Sequence, residues 1–231
     1  MHLYIGNKLY SSWSLRPWIA MTALGIPFEE TVIPLFDTNF ADRISAISPA
    51  GLVPVLVDGD IKVWETLAIL EYLAETCRDK QVWPADRQAR AHARAISAEM
   101  HAGFSALRAA CPMNLGKRFA SKDRGADVAA NVARVCAIVG EARARFSSSG
   151  TGPFLYGAFS AADAMYAPLV TRLDTYGIKV DGVTQAYIDA VLASEAFQAW
   201  KSDALKEDWI VAEDEVDEPA IENFRPHLAN R

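Results

Sequence analysis

The apolar period of this 231-residue chain changes once, and the change divides it. As far as residue 79, β-rich runs alternate with stretches of helical spacing: "HLYIG", "WSLRPWIAMTALG", "FEETVIPL", "FADRISAIS", "VPVLVDGDIKVW", "ETLAILEYLAET". Runs of period 2 must pair into a sheet, and runs of period 3.6 bury one stripe against it. The order reads β-α-β-α-β-β-α, a small mixed sheet with helices on its faces. In the first helix Leu15, Trp18, Ile19 and Thr22 recur at helical spacing, and Gly25 supplies a left-handed stop. Asp58-Gly59 is the turn pair of the hairpin. "RDKQVWPADRQ" breaks the pattern, and residues 80–86 read as a linker. After Asp86 the strand period is gone. "DRQARAHARAISAEMHAGFSALRAA" reads as one long helix, followed by "DRGADVAANVARVCAIVGEARARF", "FSAADAMYAPLVTRLDTYG", "TQAYIDAVLAS" and "EAFQAWKSDAL". "SSSGTGP", 147–153, is a loop between two of them. Residues 87–205 are therefore expected to form an all-helical bundle, and the fold class is α/β followed by all-α.

Charge and cysteine usage remove several classes of function. The net charge is -6, and no lysine/arginine block offers a footprint for nucleic acid. No stretch approaches the roughly 20 apolar residues of a membrane span, and "HLYI" begins without the basic and apolar regions of a signal peptide. Cys77, Cys111 and Cys136 lie far apart, with no metal-ligand spacing, and read as reduced thiols of a cytoplasmic protein. "EDWIVAEDEVDEPAIE", inside residues 206–231, reads as a solvated acidic tail.

Four stretches carry chemistry or a specific fold signal. In "GLVPVLVDG" a proline opens an apolar strand, where its missing N–H costs no ladder bond. In "WETLAILEYL" Glu65-Thr66 opens a helix directly after the hairpin; its unpaired N–H groups and dipole suit a carboxylate, while Thr66 can equally cap. In "GAFSAADAMYAPL" Ser160 and Asp163 have capping-box spacing, with Phe159 placed as a staple. In "NKLYSSWSLRPW" Ser11 and Ser12 precede a helix with Pro17 in its first turn. They are either caps or hydroxyls aimed at a ligand. The glycines of a nucleophile elbow are absent and no His/Asp pair is near, so a hydrolase triad is not indicated.

Together these stretches resemble the soluble glutathione transferase superfamily, over nearly the whole chain. The resemblance implies a thioredoxin-like N-terminal domain and glutathione as co-substrate, without a metal. Val53 would pair with the cysteinyl backbone, Pro54 would be cis, and Glu65 and Thr66 would hold the γ-glutamyl group. The serine loop would donate a hydroxyl to the sulfur, stabilising the thiolate that reacts. Counting back from Arg16, the zeta, tau and omega patterns select Ser11 and the delta pattern selects Ser12. "SSxSxR" looks most like the zeta string, with Trp13 where zeta has cysteine. No cysteine precedes Cys77, which argues against the cysteine-dependent members. Leu52 stands where relatives often carry a lysine for the glycyl carboxylate, and Asn39, Arg43 and Lys8 are the candidate replacements. A hydrophobic electrophile would bind between the domains, near Trp13, Met100, Phe104, Arg108 and Asn114. The stripe Met100, Phe104, Leu107, Cys111 reads equally as core, and His101 is a candidate acid or base. The implied activity is conjugation of the glutathione thiolate by a homodimer. The alternatives are a zeta-type cis-trans isomerase and a non-catalytic binding module.

Overall fold

A computed structural model describes residues 1–35, 38–147 and 152–225; part of the loop read at 147–153 therefore lies outside the described residues. Strands β1 (His2–Ile5), β2 (Glu29–Val32), β3 (Val55–Asp58) and β4 (Ile61–Trp64) form one sheet in the order β2-β1-β3-β4. β1 and β2 run parallel, while β3 is antiparallel to both β1 and β4. The parallel pair needs a crossover, supplied by α1 (Ser12–Ala23). Gly25 stops α1 at φ +62°, as its position predicts. The hairpin pairs Asp58 with Ile61, so its two turn residues are Gly59-Asp60, one position later than the sequence suggested. Gly59 takes φ +58°, which decides that register. α2 (Phe40–Ser45) and α3 (Thr66–Thr76) complete a thioredoxin-like unit.

The remaining helices are α4 (Arg87–Ala102), α5 (Ser105–Ala110), α6 (Ala126–Phe146), α7 (Ala161–Thr175), α8 (Gly182–Ala193) and α9 (Glu195–Ala204). The long helix expected over 86–110 is two. Gly103 is extended and Phe104 is left-handed at φ +59°, so the chain turns between α4 and α5. α7 is the hub: every residue except Asp174 is buried, and α1, α4 and α8 pack on it. Its start carries the expected capping box. The Ser160 N–H donates to Asp163 Oδ2 (2.8 Å), and the Leu155 N–H donates to Oδ1 (2.9 Å). Phe159 packs edge-on against Phe154.

Two features depart from the all-helical expectation. β5 (Lys117–Phe119) pairs antiparallel with β6 (Ala220–Asn223), so the second unit carries a small ribbon. β6 belongs to the segment read as a solvated tail. That segment is strapped to the body instead: Glu218 forks onto Arg124 (3.1 and 3.0 Å), and Glu215 binds Lys117 (2.6 Å). Its acidic residues look solvated locally, because their partners lie about a hundred positions or more away in the chain. Among the described residues no helix is long and apolar enough to cross a membrane.

Candidate active site

The segment leading into β3, the end of β4, the start of α3 and the end of α4 enclose a cleft of ≈ 280 Å³. Leu52, Val53 and Pro54 form one wall, and the Val53–Pro54 bond is cis. Glu65 and Thr66 form the opposite wall, with Trp13 and His101 across the mouth. Segments distant in sequence thus bring Val53, Pro54, Glu65 and Thr66 to one cleft.

Each wall has a local cause. Glu65 is the N-cap of α3 and takes φ +69°, a conformation that costs a non-glycine residue on the order of 1–3 kcal/mol. Its side chain makes no capping bond to the helix, so the carboxylate is left free of the α3 N–H groups. The Thr66 hydroxyl, almost fully buried, donates to the Trp13 carbonyl (3.3 Å). This bond ties the start of α3 to the start of α1. Leu52 stays 59% exposed at the cleft, and its side chain offers no polar group there.

The two serines separate. Ser11 is the N-cap of α1, and its Oγ accepts from the Ser14 N–H (3.4 Å). Its hydroxyl proton goes to Ser14 Oγ (2.8 Å), which in turn accepts from the Gly6 N–H (2.9 Å). Ser11 is therefore spent on the loop. Ser12 is the first residue of α1, and its hydroxyl makes no hydrogen bond among the described residues. Counting from Arg16 left Ser11 and Ser12 with alternative claims; of the two, only the Ser12 hydroxyl has no partner among the described residues, and both serines are buried and neither is among the residues lining the cleft.

Trp13 carries charge on its ring. The Arg16 guanidinium lies 4.1 Å from its centroid and that of Arg108 lies 4.6 Å from it. Arg16 is fully buried and donates to the carbonyls of Met165 (3.0 Å) and Ser12 (3.1 Å). It meets no carboxylate among the described residues, and burial, with repulsion from Arg172 and Arg108, holds it well below the ordinary guanidinium value. His101 sits edge-on to Trp13 with Nε2 3.8 Å from Glu65. Its Nδ1 is buried without a partner among the described residues.

Several expected contacts lie elsewhere. Met100, Phe104, Leu107 and Cys111 are buried core residues and do not line the cleft; the break at Gly103 turns this stripe inward. Asn114 is buried, donating to Glu215 (3.1 Å) and accepting from the Gly116 N–H (3.0 Å). Lys8 is unavailable for a glycyl carboxylate: its ammonium is buried against Glu30 (2.6 Å) and Asp203 (3.0 Å), beside the rings of Trp18 and Trp200. Arg43 lies exposed on α2, with Asn39 as that helix's N-cap. Trp64, the last residue of β4, and Ala50, ahead of β3, also line the cleft, and the sequence reading did not select them.

Comparison with known proteins agrees with this architecture. Residues 10–76 match the family model for the glutathione S-transferase N-terminal domain. Maleylacetoacetate isomerase of Rattus norvegicus is 31% identical over 203 residues, covering 85% of this chain and 89% of that protein. A probable maleylacetoacetate isomerase of Caenorhabditis elegans is 38% identical over 104 residues, 43% of this chain, and there the chain spans about half of the relative's length, 48%. A glutathione transferase homolog from Burkholderia, solved with bound glutathione, superposes with a TM-score of 0.66 at 21% identity, covering 88% of this chain and 97% of that one. A chain with a thioredoxin-like unit, a cis-proline wall and a helical second unit has the fold of a glutathione transferase. The extended match to the rat protein makes the relationship one of descent: this chain belongs to the glutathione transferase superfamily.

Proposed function

We propose that the cleft binds glutathione and holds its sulfur as a thiolate, which adds to an electrophilic carbon of a second, small substrate. The observation that carries this reading is the convergence of the cis Val53–Pro54 edge, the start of α3 and the start of α1 on one cleft. Val53 presents backbone to the cysteinyl unit as a strand edge would. Glu65 faces the ammonium of the γ-glutamyl group, and the N–H groups opening α3 face its carboxylate. The Ser12 hydroxyl donates to the sulfur. The positive end of α1 and the buried, unneutralised Arg16 both favour the anion. The role of Ser11 is to fix the turn from which Ser12 projects.

Two reactions use the same thiolate. In conjugation it displaces a leaving group from an electrophilic carbon, and glutathione is consumed. In cis-trans isomerisation it adds to one carbon of a conjugated double bond, the resulting single bond rotates, and elimination restores both the double bond and the thiolate. The isomerase reading is favoured by the rat relative, a maleylacetoacetate isomerase matched over most of its length. One assay separates them: consumption of glutathione with an aryl chloride, against conversion of a cis-configured unsaturated keto acid at catalytic glutathione. Absence of glutathione binding at millimolar concentration in a calorimetric titration overturns both and leaves the non-catalytic module. The same reading makes the protein a homodimer, which light scattering tests directly against a chain mass of 25.3 kDa.

Glu65→Gly separates binding from backbone strain. Glycine accepts φ +69° without penalty, so the melting temperature is expected to hold or rise. Loss of the carboxylate is expected to weaken glutathione binding about tenfold in the same calorimetric titration. A variant that binds glutathione as the parent does removes Glu65 from the ligand site.

A further inference from the structure

The β1–α1 loop, residues 6–11, is tied to its own unit through Gly6 and Asn7 and to the second unit through residues 8–10. The Lys8 N–H donates to Glu207 Oε1 (2.6 Å), and the Leu9 N–H donates to Glu207 Oε2 (3.1 Å). The Lys8 carbonyl accepts from Trp200 Nε1 (2.8 Å), and the Leu9 carbonyl accepts from the Leu115 N–H (3.3 Å). The Tyr10 hydroxyl donates to Glu215 (2.7 Å) and accepts from Arg225 Nη2 (3.0 Å). Arg225 is locked by the carbonyls of Glu207 (2.8 Å) and Trp209 (3.0 Å). Every polar group named here on residues 8–10 is thus held from the second unit, most of them from residues 200–225. Ser11 follows immediately, as the cap from which α1 begins.

We propose that the C-terminal strap is a positioning element of the thiol-activating site, with Glu207 on the Lys8 and Leu9 N–H groups, and Glu215 with Arg225 on the Tyr10 hydroxyl, setting the loop that aims the Ser12 hydroxyl. Two successive backbone N–H groups facing one carboxylate form a charge-assisted bridge of fixed geometry. The turn closes on itself where the Asn7 carbonyl accepts from the Tyr10 (3.3 Å) and Ser11 (2.8 Å) N–H groups; the Lys8 and Leu9 N–H groups have no other acceptor among the described residues, so the bridge sets how this turn sits against the second unit. A rotation of that plane moves the start of α1, and with it a hydroxyl that must meet sulfur at hydrogen-bond distance. The strap also holds Arg124 through Glu218, whose side-chain bonds go to Arg124 and Lys122 and not to the loop, so it offers its own control. This inference rests on the glutathione-thiolate reading above.

The test is ultraviolet difference absorbance of bound glutathione thiolate as a function of pH, in the full chain and in Glu207→Gln, Glu215→Gln and Glu218→Gln. In Glu207→Gln the amide turns its NH₂ group toward one of the two loop N–H groups, donor against donor. The midpoint for thiolate ionisation is expected to rise by about one pH unit in Glu207→Gln, a tenfold loss of thiolate below the midpoint. Glutathione affinity, read by calorimetry at a pH where the thiol is protonated, is expected to stay within about twofold. Glu218→Gln is expected to lower the melting temperature and leave the midpoint where it was. If Glu207→Gln does not fold, Glu215→Gln carries the test, with a shift in the same direction. Midpoints unchanged in both loop-side variants overturn the inference alone, as does an equal shift in Glu218→Gln. A parent chain that binds glutathione with no thiolate signal overturns the thiolate reading and this inference with it.

Discussion

Ser12→Ala is expected to lose about 10²-fold or more in turnover while glutathione affinity changes by no more than about threefold. The hydroxyl contributes to a charge that exists only when the sulfur is ionised, so its removal falls on reactivity rather than on binding. The thiolate absorbance should disappear at neutral pH in the same variant. Ser11→Ala should behave differently. It removes a cap and the acceptor of the Ser14 N–H, at a cost of about 1 kcal/mol, or a few degrees in melting temperature. Part of its activity should persist, because Ser14 Oγ still holds the Gly6 N–H. A Ser11→Ala enzyme without thiolate, beside a Ser12→Ala enzyme that retains it, would exchange the two assignments.

Asp163→Ala is expected to cost about 3 kcal/mol and about 10 °C in melting temperature. It strands the N–H groups of Leu155 and Ser160 inside the protein, at the start of the helix on which both units pack. Burial is the main influence on this carboxyl and pushes it up to about 6, from 3.8 when unburied. The folded chain therefore holds this proton more tightly than the unfolded one. Its contribution to stability is greatest below about pH 4 and falls as pH rises to about 6. The gap between parent and Asp163→Ala should accordingly widen on acidification through that window, as denaturant titrations at several pH values would reveal. A gap independent of pH would mean that the buried carboxyl titrates normally.

What was legible in the sequence was local. Ser160 and Asp163 stand three residues apart, so their box could be read directly. Gly25 terminates the helix whose face had just been counted, and Pro54 stands just ahead of a strand, where its missing N–H costs no ladder bond. The hydrogen bonding of the two serines was not legible, because it runs through the Ser14 hydroxyl and the Gly6 N–H, whose geometry no count from Arg16 contains. Gly103 carried the signal that would have split the long helix and turned Met100 and Phe104 into the core, but one glycine in an Ala-rich run is a weak interruption. Asn114, Lys8 and the acidic segment were misplaced for a common reason. Each is defined by a partner roughly a hundred or more residues away, and a charge without a neighbour in sequence looks solvated. His101 came into the cleft by the same route, through an end of α4 whose position only the assembled helices determine.

The strap has a consequence for how the molecule is made. A chain is synthesised from its N-terminus, so the serine loop leaves the ribosome about two hundred residues ahead of Glu207, the group that orders it. Closing so long a contact is slow, because the entropy of loop closure precedes any reward from it. Throughout synthesis the sheet can pair and the first helices can pack, while residues 8–10 wait with two N–H groups unanswered. If the strap positions the site as proposed, competence is acquired only once residues 200–225 have docked, and not from the N-terminal unit by itself.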